Sequence, residues 1–130
     1  MTNFKLFLFF LLLSISCWSQ NPFYYVYDDE KGLPSNEVYS IDQDKKGFIW
    51  LGCDAGLFRF DGFRFQAYDC ATQTSNAKTN LVFSSSGTLY CNNFKDQLFY
   101  VSNGTLKELK HSFSSIIKLE TDGNGNLILS

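Results

Sequence analysis

Residues 44–52 read DKKGFIWLG, and a degraded copy, SSSGTLYCN, follows at residues 84–92. The same pattern starts again as DGNGNLIL at residues 122–129. A second block is also duplicated, because LFRFDG at residues 57–62 is followed by LFYVSNG at residues 98–104. The chain is therefore built from repeated units.

The length of the repeat indicates the fold. Its period of about 40 residues is the size of one four-stranded β-propeller blade. Aromatic residues make up 18% of the sequence, and such residues favour half-buried strands. We therefore predict an all-β, partial β-propeller in residues 20–130. It has two blade units, at about residues 34–69 and 76–109, and an incomplete third unit at about 116–130.

Turn residues divide the first unit into short strands. An Asp that accepts backbone hydrogen bonds and a Gly that tolerates positive φ predict a hairpin from Asp44 to Gly47. Asp61-Gly62 predicts a two-residue hairpin, and Gly56 gives the backbone freedom before the third strand. The strands predicted between these turns are 38–43, 48–52, 57–60 and 63–68.

Two large side chains are expected to fill the space between neighbouring blades. Trp50 and Phe60 carry large apolar areas that suit this role. The rest of the repeat motif consists of Gly52, Leu57, Phe65 and Tyr68.

The segment before the first unit matches the end of that unit. Tyr24 and Tyr27 have the same spacing as Phe65 and Tyr68, and an Asp follows in both places. We therefore expect an N-terminal closing strand that belongs to a blade whose other strands lie elsewhere. Because a blade buries its faces only against its neighbours, the sequence is expected to be a fragment of a longer protein.

Several fixed spacings together resemble the two-component regulator propeller repeat. They are GLPSN at residues 32–36, DKKGFIWLG at 44–52, GLFRFDG at 56–62, and Phe65 with Tyr68. Residues 76–109 match the pattern weakly, because the tryptophan, the first Asp and the Asp-Gly turn are replaced. The pattern usually has Thr where this chain has Cys53.

The resemblance implies a signalling role. Such repeats form the periplasmic sensor region of bacterial hybrid two-component systems, and these sensors commonly respond to oligosaccharides. In those proteins an immunoglobulin-like domain, a membrane helix and a cytoplasmic histidine kinase follow the propellers. The resemblance thus implies an oligosaccharide ligand and, as partners, the remaining blades of a parent chain. It implies a membrane connection only through downstream segments.

The N-terminus has the order of a secretory signal peptide. Lys5 supplies the positive charge, residues 6–13 are apolar, and residues 14–20 are small or polar. The apolar run is shorter than the roughly 20 residues that a transmembrane helix needs. We expect cleavage after Ser19 and export to the periplasm; lipid attachment at Cys17 is the alternative.

Composition and cysteine spacing argue against other classes of protein. The formal net charge of -2 gives no reason to expect a nucleic-acid partner. Cys53, Cys70 and Cys91 form neither a C-x-x-C motif nor a Cys/His cluster, so no metal is expected. Asp42 and Asp44 open like a calcium loop, but a lysine and a cysteine occupy two of its ligand positions.

No constellation for catalysis is evident. His111 is the only histidine and lies in a sequence typical of a surface loop. Without a second histidine or an activated cysteine, the sequence has no acid–base or nucleophile pair. We therefore expect no enzymatic activity and no cofactor in this chain.

A ligand site is expected where the loops that enter each blade meet the loops between its middle strands. Asn36 and Asp54 lie in such loops, and Tyr39 lies nearby. The amide and the carboxylate suit sugar hydroxyls, and the aromatic ring suits stacking. Hydrogen bonding within the loops themselves explains these polar residues equally well.

Two further functional classes stay open. The chain could belong to a secreted propeller scaffold for protein–protein contacts, or to a propeller lyase or glycosidase. The sequence downstream in the genome distinguishes them from a two-component sensor.

Overall fold

The computed structural model describes residues 4, 22–116, 118–122, 124 and 126–130. They form two four-stranded antiparallel sheets and a two-stranded hairpin, so the predicted all-β, partial-propeller fold is confirmed. Except for residue 4, the predicted signal peptide at residues 1–19 lies outside the described residues. In the part of the chain that is described, no helix is long and apolar enough to cross a membrane.

The first sheet is a meander whose strands follow one another in space as in sequence. Asp44 shapes its first turn, because its Oδ1 accepts hydrogen bonds from the backbone N–H groups of Lys46 and Phe48, at 2.9 and 3.0 Å. Gly47 completes the turn with φ of 90°. The four strands are β1 (Val38–Gln43), β2 (Ile49–Cys53), β3 (Gly56–Phe60) and β4 (Phe65–Tyr68).

The last connection of this sheet is longer than the predicted two-residue hairpin. Phe60 pairs with Phe65, so four residues lie between β3 and β4. The reason is that Asp61 Oδ1 accepts hydrogen bonds from the N–H groups of Phe63 and Arg64, each at 2.9 Å, which turns these groups away from the ladder. Phe63, predicted to begin the strand, is 95% exposed in the loop.

The second sheet repeats this architecture. Gly87 has φ of 85°, and Ser84 Oγ accepts a hydrogen bond from Thr88 N at 3.1 Å, as Asp44 does from Phe48. The third unit also begins with this turn, because Asp122 Oδ1 accepts from Asn124 N and Asn126 N. The strands are β5 (Thr79–Phe83), β6 (Leu89–Asn92), β7 (Leu98–Ser102), β8 (Thr105–Leu109), β9 (Leu119–Thr121) and β10 (Leu127–Leu129).

The sheets bury apolar side chains between them. Trp50 is 5% exposed and lies in the core between the first two sheets, with its ring 4.8 Å from that of Tyr68. A second core joins the second sheet to the β9–β10 hairpin around Leu98, Ile116 and Leu119. The first core contains Trp50, Leu57, Tyr68, Leu81, Leu89, Cys91, Phe99 and Leu106.

Gly52 lets the two sheets approach closely. A Cβ at this position would lie 2.5 Å from both Leu81 Cδ1 and the Lys78 carbonyl oxygen. Lys78 N donates to the Cys53 carbonyl at 3.0 Å, and Leu81 N donates to Ser40 Oγ at 3.1 Å. The start of the second unit is thus fixed against the inner strands of the first.

The expected N-terminal closing strand does not form. Residues 22–28 make no strand, and Tyr27 of this segment lies against the face of the first sheet that carries Phe60 and Phe65. Tyr27 contacts Phe60 and Phe65 there, with ring centroids 4.8 and 6.1 Å apart. Phe60 therefore points away from the second sheet, on the face opposite Trp50.

The connections gather at two ends of the sheets. We call one the hairpin end; it carries the turns at residues 44–48, 61–64 and 84–88. We call the other the entry end; it carries the connections at residues 54–55, 69–78 and 93–97.

Candidate functional site

The entry end holds a cavity of about 400 Å³ between the two units and the start of the third. Its walls come from the starts of β1 and β5, the end of β6 and the connection that follows β6. The lining residues are Tyr39, Thr79, Asn80, Asn92, Asn93, Phe94, Asp96 and Ile116.

Two aromatic rings form one wall of the cavity. Tyr39 and Phe94 contact each other edge to face, with centroids 5.1 Å apart at 78°. The side chains stay accessible, since Tyr39 is 42% and Phe94 is 62% exposed. An accessible aromatic pair is a surface on which an apolar ligand face can stack.

The Tyr39 hydroxyl is held in place on the side of the first unit. It donates to Glu37 Oε2 at 3.1 Å. Desolvation, this hydrogen bond and the negative charges of Glu37 and Asp54 raise the pKa of Tyr39 above its ordinary value. The phenol therefore stays protonated at neutral pH.

Asn92 forms the floor of the cavity and is 2% exposed. Its Oδ1 accepts from Thr79 Oγ1 and Asn80 Nδ2, both at 3.0 Å. Its Nδ2 donates to the Ile116 carbonyl at 3.2 Å, so one side chain joins the second unit to the third. Asn92 occupies the position that Gly52 occupies in the first unit, where the backbones approach directly.

Asn93 fixes the loop beside this floor. Its Oδ1 accepts from the N–H groups of Lys95 and Gln97, both at 3.0 Å. Its Nδ2 donates to Gln97 Oε1 at 2.9 Å and to the Ser75 carbonyl at 3.3 Å. The cavity wall is therefore preorganised by amide hydrogen bonds.

Two residues at the cavity adopt left-handed backbone conformations, which Asn and Asp tolerate better than most residues. They are Asn80, with φ of 46°, and Asp96, with φ of 58°. Asp96 Oδ1 accepts from Ile116 N at 2.9 Å, and its carbonyl contacts His111 Nε2 at 2.7 Å. Asp96 contributes the one carboxylate among the lining residues.

A buried lysine anchors the long entry connection. Lys78 is fully buried, and its Nζ donates to Gln73 Oε1 and to the carbonyls of Asn76 and Ser75, at 3.0, 2.7 and 3.4 Å. The ammonium lies 4.9 Å from the Phe99 ring centroid. Burial lowers the pKa of Lys78.

The structure separates the three predicted ligand residues. Tyr39 lines the cavity, whereas Asn36 and Asp54 do not. Asn36 is exposed just before β1. Asp54 lies in the β2–β3 turn, where its N–H donates to the Glu37 carbonyl at 3.1 Å.

Most of the cavity comes from the second unit, in which the sequence had predicted no ligand residue. Phe94 and Asp96 lie in the β6–β7 connection, the equivalent of the loop that contains Asp54. Between the equivalent strand pairs Gly52–Leu57 and Asn92–Leu98, the first unit has four residues (53–56) and the second has five (93–97). The polar pair Asn92-Asn93, at the point where an otherwise apolar strand ends, was the signal available in the sequence.

The described residues contain no group of three or more His, Cys, Asp or Glu side chains placed to hold a metal ion. His111 lies beside Phe113 and contacts Asp96 through the backbone carbonyl of that residue. Cys53, Cys70 and Cys91 are free thiols.

Comparison with known proteins agrees with the repeat that the sequence and the two four-stranded sheets show. Residues 32–55 match the family model described as "Two component regulator propeller". The chain is also 36% identical over 59 residues to "Histidine kinase P4" of Formosa agariphila. The aligned stretch is 45% of this chain and 4% of that protein. Residues 32–55 therefore carry the two-component regulator propeller repeat.

Proposed function

We propose that this chain is a ligand-binding propeller segment of a two-component sensor, exported to the periplasm, and that its ligand is a carbohydrate. The family match and the similarity to a histidine kinase support the sensor role. The character of residues 1–19 supports export.

The entry-end cavity is the observation that carries the carbohydrate proposal. Sugars present apolar C–H faces to aromatic rings and hydroxyl groups to amides and carboxylates. Tyr39 and Phe94 supply the rings, and Asp96 supplies a carboxylate acceptor. Because none of the described residues that line this cavity is Lys or Arg, a neutral sugar suits it better than an anionic one.

The proposal is one of binding without chemical change. Among the described residues that line the cavity, Asp96 is the one acid, whereas glycoside hydrolysis uses a pair of carboxyl groups. The expected outcome is that oligosaccharides incubated with the chain are recovered unchanged.

We also propose that a further sheet of the same repeat covers the outer face of the first sheet. This outer face consists of Ile41, Ile49, Leu51, Phe60 and Phe65, and it borders a cavity of about 350 Å³. The strand pairing shows which residues of the second sheet are equivalent to Ile49, Leu51, Phe60 and Phe65. They are, in that order, Leu89, Cys91, Val101 and Leu106, and these pack against the first sheet. Tyr27 already contacts this face as Tyr68 contacts the second sheet, which supports a preceding unit as the occupant.

The test of the carbohydrate proposal is an amide NMR titration of the 130-residue chain with a panel of neutral oligosaccharides. We expect saturable shifts at residues 39, 79–80 and 92–96 for at least one sugar. Phe94→Ala removes a stacking ring, which is expected to contribute about 1.4 kcal/mol to binding. Because about 1.4 kcal/mol corresponds to a tenfold change in affinity, we expect this substitution to weaken binding about tenfold.

Phe63→Ala is the matched control, because Phe63 is an exposed phenylalanine at the hairpin end. Its affinity is expected to equal that of the unchanged chain. Equal weakening by both substitutions, or shifts confined to other regions, contradicts the proposed site.

A further inference from the structure

A second cleft lies at the hairpin end, between the first turns of the two units. It has a volume of about 300 Å³. It is separate from the entry-end cavity and shares no lining residue with it. Its lining residues are Asp44, Lys45, Lys46, Phe48, Arg59, Ser86 and Gly87.

The cleft carries an excess of positive charge. Three of its residues are cationic and one is acidic. The Asp44 carboxylate is already engaged: Oδ1 accepts from the N–H groups of Lys46 and Phe48, and Oδ2 accepts from Trp50 Nε1 at 3.0 Å. Partial burial opposes ionisation, but these hydrogen bonds and the positive charge of Arg59 lower the pKa of Asp44, so it is ionised at neutral pH.

Arg59 is the best placed cation of the cleft. Its guanidinium lies over the Phe48 ring, 4.6 Å from the centroid, and its Nη2 donates to the neutral amide oxygen of Gln66 at 2.8 Å. Its Nε is buried without a hydrogen-bond partner among the described residues. Within the same residues, no carboxylate forms a salt bridge with Arg59.

The two lysines complete the cationic rim. Lys45 Nζ donates to the Ser85 carbonyl at 2.7 Å, which holds its ammonium across the gap between the turns. Lys46 is exposed, and no salt bridge pairs its ammonium within the described part of the chain. Ser86 adds a hydroxyl from the opposite turn.

The second unit shows that these charges are not needed for the fold. It makes the same turn, with Gly87 at φ of 85° and Gly47 at 90°. Where the first unit has Asp44, Lys45, Lys46 and Arg59, the second has Ser84, Ser85, Ser86 and Tyr100. The cations are therefore a property of this one junction.

We infer that the cleft binds an oxyanion, either free or carried on a sugar as a carboxylate or sulfate. Arg59 donates planar N–H groups, and the lysines supply compact charges, which together suit a carboxylate, sulfate or phosphate group. This inference does not depend on the carbohydrate site at the entry end.

The test is an amide NMR titration with sodium sulfate against sodium chloride at constant ionic strength. Saturable shifts at residues 45–48 and 85–87 with sulfate alone are expected. A parallel titration with glucuronate and with glucose distinguishes the source. Tighter binding of glucuronate than of sulfate indicates an anionic sugar, and the reverse indicates a free inorganic ion.

Lys45→Gln combined with Lys46→Gln is expected to weaken binding about tenfold, because hydrogen bonds to charged groups are among the stronger ones. Lys107→Gln is the matched control, an exposed lysine on β8 away from the cleft, and it is expected to leave binding unchanged. Equal loss in both variants, or shifts that never saturate, overturns the inference.

Discussion

Gly52→Ala tests whether the two sheets pack closely, because close packing decides whether the substitution lowers or raises the free energy of unfolding. The new Cβ would lie 2.5 Å from Leu81 Cδ1 and 2.5 Å from the Lys78 carbonyl oxygen, and 3.1 Å from the Lys78 carbonyl carbon. Reaching an ordinary contact of 3.4 Å requires a shift of about 0.9 Å at each of the two closest atoms. The Lys78 backbone resists this shift, because its N–H donates to the Cys53 carbonyl.

Overpacking of this kind costs about 1–3 kcal/mol. In a sheet without a neighbour the same change would stabilise by about 0.5–1 kcal/mol, because glycine is unfavourable inside a strand. The measurement is urea unfolding of the 130-residue chain followed by circular dichroism. A free energy of unfolding that is unchanged or raised by Gly52→Ala refutes the close approach.

A double-mutant cycle with Leu81→Ala identifies the cause. Removal of the Leu81 methyl groups relieves one of the two close contacts, so the pair of substitutions is expected to cost less than the sum of the single ones. Strict additivity would mean that Leu81 is not the neighbour of Gly52.

Three other outcomes follow from the same structure. Because the pKa of Asp44 is lowered in the folded state, its contribution to stability is present above the ordinary value of 3.8 and is lost as the pH falls below it. Asp44→Asn is therefore expected to lose less stability than the unchanged chain between pH 7 and pH 3, and equal urea-midpoint shifts would contradict this. Cys70 is half-buried and its pKa is lowered, whereas burial raises the pKa of Cys91 to about 12. Iodoacetamide labelling at neutral pH, mapped by mass spectrometry, should therefore modify Cys70 first. Labelling of both thiols at the same rate would contradict the burial of Cys91 in the core. Finally, Ile41→Lys on the outer face is expected to reduce the fluorescence of a bound apolar dye, while Phe63→Lys outside that face leaves it unchanged; equal reductions would mean that the face is not the dye site.

The sequence predicted the first unit well because its signals are local. Asp44 and Gly47 determine their turn through hydrogen bonds and φ within five residues. The Asp61 turn was predicted too short, because the side chain captures two N–H groups, which the letters Asp-Gly do not reveal.

The N-terminal segment shows what a repeat predicts and what it does not. The spacing of Tyr24 and Tyr27 predicted the end of a preceding unit, and Tyr27 does contact Phe60 and Phe65. Strand formation depends on a partner edge, which the matching letters do not supply. Similarity between repeats therefore predicted a contact but not the hydrogen bonding.

The candidate cavity was harder to predict because it lies where the repeat diverges. The cavity uses Asn92, Phe94 and Asp96 of the second unit. At the equivalent positions the first unit has no polar or aromatic residue apart from Asp54 in the corresponding turn. The left-handed backbone of Asn80 and Asp96 shapes the cavity, and neither conformation is evident from the sequence.

Successive four-stranded sheets of this chain pack face to face, as blades of one propeller. The most direct measurement is a nuclear Overhauser spectrum of the 130-residue chain, focused on the Gly52 α protons and the Leu81 methyl groups. We expect a strong cross-peak between them, alongside one between the Trp50 and Tyr68 rings. If the Trp50–Tyr68 peak is present and the Gly52–Leu81 peak is absent, the sheets form but do not pack as described.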